Sequence, residues 1–255
     1  MWEDMVLFAA IGFAAQVVDG ALGMAYGVTA ATMLLSLGIA PPVASASVHT
    51  AEILTSAASG AAHWRLGNVD AVLLRRLALG GVIGGATGAY VLSAVPGSIV
   101  RPFVSVYLLA MGSIILWRAL RGRRAEDGAA EATVRTGRLS LLGVIGGFLD
   151  AIGGGGWGPM VTSTLIGRGV TPRLAIGSAN LAEFFVSAVV AGTFAATIGL
   201  ELWPIIAGLV IGGVLAAPFA ALITRKLPDR PLMLLVGMVI ILLSLRGLLL
   251  FFEER

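Results

Sequence analysis

The sequence predicts an all-α polytopic membrane protein built from two inverted repeats, and three observations support this fold class. Hydrophobic residues make up 58% of the 255-residue chain and charged residues only 12%, whereas a soluble domain carries about 25% charged residues. Apolar stretches long enough to cross a bilayer recur along the whole chain, and the second half repeats the spacing of the first. So few charges cannot cover a water-facing surface, so lipid is the expected solvent.

Most of the apolar segments have the length of about 20 residues that one membrane span requires. The first and the fifth are too long for one straight helix, and each is interrupted, at 19–23 and at the glycine run 153–156. Consecutive glycines admit backbone angles that are closed to other residues, so a helix breaks there. Each repeat is therefore predicted to hold four apolar segments, the first of them broken into a glycine-rich hairpin of half-helices. The eight segments are 4–37, 42–62, 71–93, 99–117, 139–167, 172–199, 202–224 and 229–252.

The two halves match each other without gaps over more than 30 positions when the chain is shifted by 131 residues. The shift superposes both acids that precede the breaks, Asp19 and Asp150. It also pairs Gly23 with Gly154, Tyr26 with Trp157, Ser47 with Ser178, His49 with Asn180 and Glu52 with Glu183. We therefore divide the chain into an N-terminal repeat 1–117, a basic cytoplasmic linker 118–138 and a C-terminal repeat 139–255.

The basic residues predict how the repeats are oriented. If both broken segments enter and leave on one side, each half has an odd number of crossings and the repeats are inverted. Of the 17 basic residues, 14 then share the linker side, and only Arg101, Arg246 and Arg255 lie opposite. A chain whose eight segments all cross would split them 11 to 6. Because cytoplasmic loops carry the basic excess, we predict inverted repeats with both termini outside.

Polar side chains inside the apolar segments predict a central site at the repeat interface. Glu52 and Glu183 each follow a proline by 11 residues, about 16 Å along a helix and so close to the bilayer midplane. An acid at that depth is costly unless it faces a partner or a wet cavity. For the acids before the breaks, capping of the half-helices and direct ligand or proton handling both stay open. The residues expected to couple protons are Asp19, His49, Glu52, Asp150 and Glu183.

The half-helices that follow the glycines should direct free backbone N–H groups and positive dipole ends at this site, where an anion can bind. Ionised acids would repel that anion, and burial favours the neutral form of a carboxyl. We therefore predict a secondary transporter that couples anion movement to protons. The residues expected to contact the anion are Gly23, Tyr26, Ser47, Gly153, Gly154, Gly155, Gly156, Trp157, Ser178 and Asn180.

Other functional classes find less support in the sequence. The chain has no cysteine and two histidines, and it lacks HExxH and GxSxG motifs, so we expect no enzyme, metal or cofactor. No stretch resembles a DNA-binding motif, so the basic excess is interpreted as a topology signal and no nucleic-acid partner is expected. An anion channel and a non-transport membrane assembly subunit remain open.

Three features together resemble the sulfite exporter TauE/SafE family across essentially the whole chain. They are Gly-Gly-Gly-Gly-Trp-Gly-Pro at 153–159, the spacing from there to Pro172, and Ile-Gly-Ser-Ala-Asn-Leu at 176–181. The resemblance implies a small permease of the bacterial cytoplasmic (inner) membrane that moves a sulfur-containing anion such as sulfite or an organosulfonate. The first-half copy at 21–27 keeps only two of the motif's glycines, so substrate specificity should be sought in that half.

Overall fold

A computed structural model of the chain describes residues 2–22, 25–121, 136–199, 203–226 and 229–253. Every regular element in these ranges is helical, which confirms the predicted all-α class. Gly23 and most of the predicted linker, residues 122–135, lie outside the described residues.

Within the described residues the first half contains five helices, and the second half repeats their order. The helices of the first half are α1 (Trp2–Leu22), α2 (Tyr26–Ser36), α3 (Pro41–Arg65), α4 (Ala71–Ala94) and α5 (Gly97–Arg121). Those of the second are α6 (Thr136–Gly153), a π-helical turn (Gly158–Thr162) continuing into α7 (Ser163–Gly167), α8 (Pro172–Ile198), α9 (Trp203–Lys226) and α10 (Asp229–Glu253). Both α3 and α8 begin at a proline, whose fixed φ and missing N–H suit the first turn of a helix.

In each broken segment the helix before the break is longer than the helical element after it, whereas the sequence predicts half-helices on both sides of each break. Helix α1 has 21 residues, a length of about 31 Å, and α2 has 11. The first helix runs through Gly20 because one glycine costs only about 1 kcal/mol in a helix. In both segments a long helix therefore leads into the break and a short helical element leaves it.

The outer surface of the molecule suits lipid. Four helices in the described ranges are long and apolar enough to cross a membrane, namely 71–94, 99–121, 172–198 and 233–252. Large apolar side chains on their outer faces are widely exposed, as with Leu79 (66%), Phe103 (68%) and Leu242 (65%). Such a continuous apolar exterior is not tolerated in water, so the chain is a multi-pass membrane protein.

The principal helix pairs join one half of the chain to the other. They are α1 with α9, α4 with α6, α5 with α10, α3 with α8 and α4 with α8. The first two pairs are repeat images of each other, because α1 corresponds to α6 and α4 to α9. The halves thus interlock, and the division into repeats remains a division of the sequence.

Helices α4 and α6 run parallel at backbone contact. A Cβ added to Gly80 would meet the Ser140 carbonyl, and one added to Gly84 would meet the Val144 carbonyl. The residue numbers rise together in the two helices, which sets the parallel direction. Small residues let helix backbones approach this closely within a membrane. The parallel pair α1 and α9 packs in the same way through Gly208.

Helices α3 and α8 cross in antiparallel fashion. The Asn180 amide of α8 donates to the Ser59 hydroxyl of α3 over 2.8 Å, and the side chain of Glu52, earlier in α3, lies beside Ser187, later in α8. Residue numbers therefore rise along α3 as they fall along α8.

Helices α5 and α10 are also antiparallel. A Cβ on Gly112 would lie 2.8 Å from Ile240, and one on Gly247 would lie 3.2 Å from the Ser105 hydroxyl oxygen. Both antiparallel pairs thus consist of helices at equivalent places in the two repeats.

The close packing of α4 on α6 predicts a large effect of one methyl group. We expect Gly84→Ala to destabilise the protein by at least about 1–3 kcal/mol, because the added Cβ overlaps backbone. Gly192→Ala in α8 is the matched control, since a Cβ there meets nothing within 4 Å. The measurement is the thermal unfolding midpoint of each purified variant in the same detergent, and equal midpoints would contradict the packing.

Candidate functional site

The break in the second half is built from glycines that no other residue can replace. Gly154, Gly155 and Gly156 have φ angles of +72°, +149° and +132°, a region that favours glycine. Asp150, on the last turn of α6, closes the loop from both ends. Its backbone carbonyl accepts from the Gly155 N–H over 3.0 Å, and its carboxylate accepts from the Trp157 N–H over 2.8 Å.

The break in the first half uses the same contact between equivalent residues. The Asp19 carboxylate accepts from the Tyr26 N–H over 3.3 Å, and Asp19 and Tyr26 are the repeat counterparts of Asp150 and Trp157. Here the positive φ falls on Ala25, at +110°. The capping role that the sequence left open is thus present in both repeats, and it is shorter and more buried in the second.

The two breaks contact each other directly. A Cβ added to Gly27, in the first turn of α2, would lie 2.7 Å from the Gly155 Cα, 3.1 Å from the Gly154 carbonyl oxygen and 2.6 Å from Glu52 Oε1. Gly154 in turn packs against Ala31 of α2. Only glycine allows backbones to meet at this distance, so the glycine loop of one repeat rests on the short helix of the other.

His49 ties α3 to the second break through a buried pair. Its Nε2 lies 3.1 Å from Asp150 Oδ2, and both side chains are at most 1% exposed. Its Nδ1 lies 2.8 Å from the Ser45 carbonyl, which can only accept, so Nδ1 carries a hydrogen. The Nε2 contact then needs one proton, held either by an imidazolium beside a carboxylate or by a carboxyl beside a neutral imidazole. The imidazole and the carboxylate thus share this proton across the contact.

The two midplane glutamates lie at the same centre as the acids of the breaks. Glu52 is 3% exposed, and its Oε2 has no hydrogen-bond partner among the described residues. The charges of Glu183, Asp150 and Asp19 all act on Glu52. Glu183, Asp150 and Asp19 therefore all lie within electrostatic range of Glu52, two of the four predicted acids coming from each repeat.

Several residues expected to contact the anion are occupied by structural bonds instead. The Trp157 indole is fully buried and donates to the Ala179 carbonyl over 3.0 Å, and the Tyr26 hydroxyl donates to the Leu209 carbonyl over 3.4 Å. Ser178 anchors the loop before α4 and Asn180 bonds Ser59. Asn180 therefore differs from its counterpart His49, which pairs with an acid. The Asn180 amide is bonded to the Ser59 hydroxyl of α3 instead.

Ser47 makes no structural hydrogen bond through its hydroxyl among the described residues, and the glycines at 153–156 have no side chain that could make one. The Ser47 hydroxyl is buried and lacks a partner among the described residues. Gly153 and Gly156 lie against the ring of Tyr107, from α5. A role for these positions in anion binding stays a prediction.

Sequence reasoning missed two residues of the site. The Tyr107 hydroxyl donates to the Gly155 carbonyl over 3.0 Å, and the Ser45 hydroxyl donates to the Ala151 carbonyl over 2.6 Å. Ser45 lies one helical turn before His49, a spacing that places both on one face and could have identified it. Tyr107 lies in the middle of an apolar segment, whereas tyrosine is usual at the membrane interface. This unusual position could have identified it.

The unequal caps predict unequal effects of equivalent substitutions. Asp150→Ala leaves both His49 and the Trp157 N–H without a partner in the interior, and breaking a buried pair costs about 3–5 kcal/mol. Asp19→Ala removes one longer cap bond, worth about 1 kcal/mol. Thermal unfolding of both variants in one detergent checks this, and an equal or larger loss in Asp19→Ala would refute the asymmetry.

Comparison with known proteins agrees with this architecture. The family model described as sulfite exporter TauE/SafE matches residues 8–247. A Bacillus subtilis (strain 168) protein named probable membrane transporter protein YtnM is 41% identical over 250 residues, which is 97% of this chain and 83% of the relative. No solved structure matches the chain. By this family match and this relative, the chain belongs to the sulfite exporter TauE/SafE family of membrane transporters.

Proposed function

We propose that this protein is a secondary transporter that moves a small sulfur oxyanion across the bacterial inner membrane together with protons, by alternating access at the interface of two inverted repeats. The observation that carries the proposal is the meeting of both helix breaks and four acids at one centre. Each repeat supplies a capped break and a midplane glutamate to it.

The directions of the helix pairs support inverted repeats. An axis along the membrane normal would relate equivalent helices in parallel, and an axis in the membrane plane relates them antiparallel. The equivalent helices α3 and α8 are antiparallel, and so are α5 and α10. With the basic linker on the cytoplasmic side, this arrangement puts both termini outside.

The short helices support anion binding. Helix α2 and the π-helical turn both begin at the centre, with positive dipole ends directed toward the opposite repeat. Neither break needs a buried cation to bind an oxyanion, which agrees with the acidic character of the charges around Glu52.

The acids support proton coupling. Like charges at close range in an apolar interior cannot all be ionised together, so the centre holds protons in some states and releases them in others. The His49–Asp150 pair offers a second proton position beside the glutamates. Proton occupancy would also lower the repulsion that an entering anion meets.

The family supplies the first substrate to test. Its description names sulfite export, and we take sulfite and small organosulfonates as the substrate class of this chain. Alternating access would open the centre to each side in turn at the interface between the repeats 1–117 and 139–255, with the helix pairs that join the two repeats moving together.

Reconstituted protein tests the proposal. In liposomes loaded with a pH-sensitive dye, the wild type should move sulfite and shift the internal pH in proportion, and Glu52→Gln or Glu183→Gln should abolish the proton signal, because an amide cannot exchange a proton. Asp70→Asn is the matched control, since Asp70 caps α4 and asparagine also caps well.

Three outcomes would overturn the proposal. Proton-dependent flux that both glutamine variants retain would remove the acids from the mechanism. Sulfite rates far above about 1,000 per second, beyond the usual turnover of about 1–1,000 per second, would favour a channel. Absence of sulfite and sulfonate flux in an intact, folded preparation would favour a non-transport subunit.

A further inference from the structure

A cavity lined by both polar and apolar residues lies one short helix away from the centre. It measures about 340 Å³ and is enclosed by the end of α2, the start of α5 and the last turns of α10. Helix α2 leads from the central contact at Gly27 to this cavity over its 11 residues, about 16 Å. The cavity shares no lining residue with the central site.

Two arginines from different helices line the cavity. Arg101 of α5 donates to the Gly38 carbonyl over 3.1 Å, and Arg246 of α10 donates to the Ser36 carbonyl over 3.1 Å. These bonds fix both guanidinium groups at the end of α2. Each guanidinium carries five N–H donors in a fork that matches an oxyanion, so donors beyond these bonds are available to a ligand.

A buried hydroxyl without a partner adds to this donor set. Ser244 of α10 lines the cavity, is 4% exposed, and its Oγ has no hydrogen-bond partner within the described ranges. Ser105 and Thr32 line the same cavity. A buried polar atom normally has a partner, so the unsatisfied Ser244 hydroxyl indicates that a polar ligand completes this site.

The charge of the cavity selects an anion. Its described lining contains two arginines and no Asp or Glu. On the inverted topology proposed above, Arg101, Arg246 and Arg255 are the only basic residues on the outer side of the chain, and Arg255 lies outside the described residues. Two of these three therefore converge on one cavity.

We infer that this cavity, bounded by Arg101, Arg246 and Ser244, is a second oxyanion site at the outer mouth of the transporter, where a free sulfur oxyanion binds on its way to or from the centre. This inference rests on the proposed function for the side of the membrane and for the substrate class. A lipid phosphate offers the same chemistry. The site is assigned to a free anion because α2 connects it to the central contact.

The test measures transport separately from each face. Full-length protein is reconstituted in one orientation in phosphatidylcholine liposomes, and sulfite is presented in turn outside and inside. Arg101→Gln and Arg246→Gln should each raise the KM at the outer face by at least about tenfold, as expected for a lost charge-assisted hydrogen bond. The KM at the inner face should not change.

Three further variants sharpen the result. Arg76→Gln removes an exposed guanidinium from α4, at the opposite face, and should leave the outer KM unchanged. Arg246→Lys keeps the charge without the fork and should recover part of the lost affinity, which a folding defect would not do. Ser244→Ala should raise the outer KM by a smaller factor than the arginine variants.

The outcomes separate this site from the proposed function. An unchanged outer KM in both glutamine variants, or an equal rise at both faces, overturns the site while sulfite transport itself stands. Phosphatidylcholine also carries a phosphate, so an arginine effect that appears in liposomes but not in sulfite binding to the lipid-free, detergent-solubilised protein assigns the cavity to a lipid phosphate and also overturns it. If sulfite is not transported at all, sulfite is titrated calorimetrically into the detergent-solubilised protein. Binding that Arg246→Gln abolishes then supports the site without the proposed function.

Discussion

The contact between Gly27 and Gly155 is the constraint on which the rest of the structure depends. It brings the backbone of one repeat against that of the other at a distance that any Cβ would prevent. Helix breaks expose N–H groups that lipid cannot satisfy, so both breaks must be capped and enclosed by protein. Asp19 and Asp150 supply the caps, and α3 and α8 enclose the contact. The polar backbone of the two breaks thereby meets at one interior point, where we propose that a transported anion is recognised.

The interlocked helix pairs explain how two halves with little polar surface hold this centre together. Parallel glycine faces join α4 to α6 and α1 to α9 at backbone distance, while the antiparallel pairs α3–α8 and α5–α10 join equivalent helices. Movement of one repeat therefore displaces helices packed against the other. The acids at the centre and the arginines at the end of α2 lie at two positions along that shared interface, and the short helix α2 touches both.

Much of this arrangement follows from the sequence, because duplication places equivalent residues at equivalent depths. The 131-residue shift predicts both breaks, both acids before them and the paired midplane glutamates. The asymmetry between the halves is harder to predict. His49 and Asn180 occupy equivalent positions, yet one pairs with Asp150 and the other with Ser59, since pairing across a hundred residues depends on which neighbour packing brings within reach. Tyr107 was missed for the same reason, and the arginine cavity depends on where α2 ends between two helices that are distant in sequence.

Disulfide trapping between α3 and α8 tests whether equivalent helices of the two repeats cross antiparallel at the interface. The chain has no native cysteine, so an introduced pair reports without background. A Cβ on Gly60 would lie 3.2 Å from the Leu181 Cβ, close to the separation of about 3.5–4.5 Å in a disulfide. Ala191 is the position equivalent to Gly60 and would face it only if the repeats were parallel. If α3 and α8 are antiparallel, Gly60→Cys should crosslink rapidly with Leu181→Cys and should not crosslink with Ala191→Cys. The reverse pattern would contradict it.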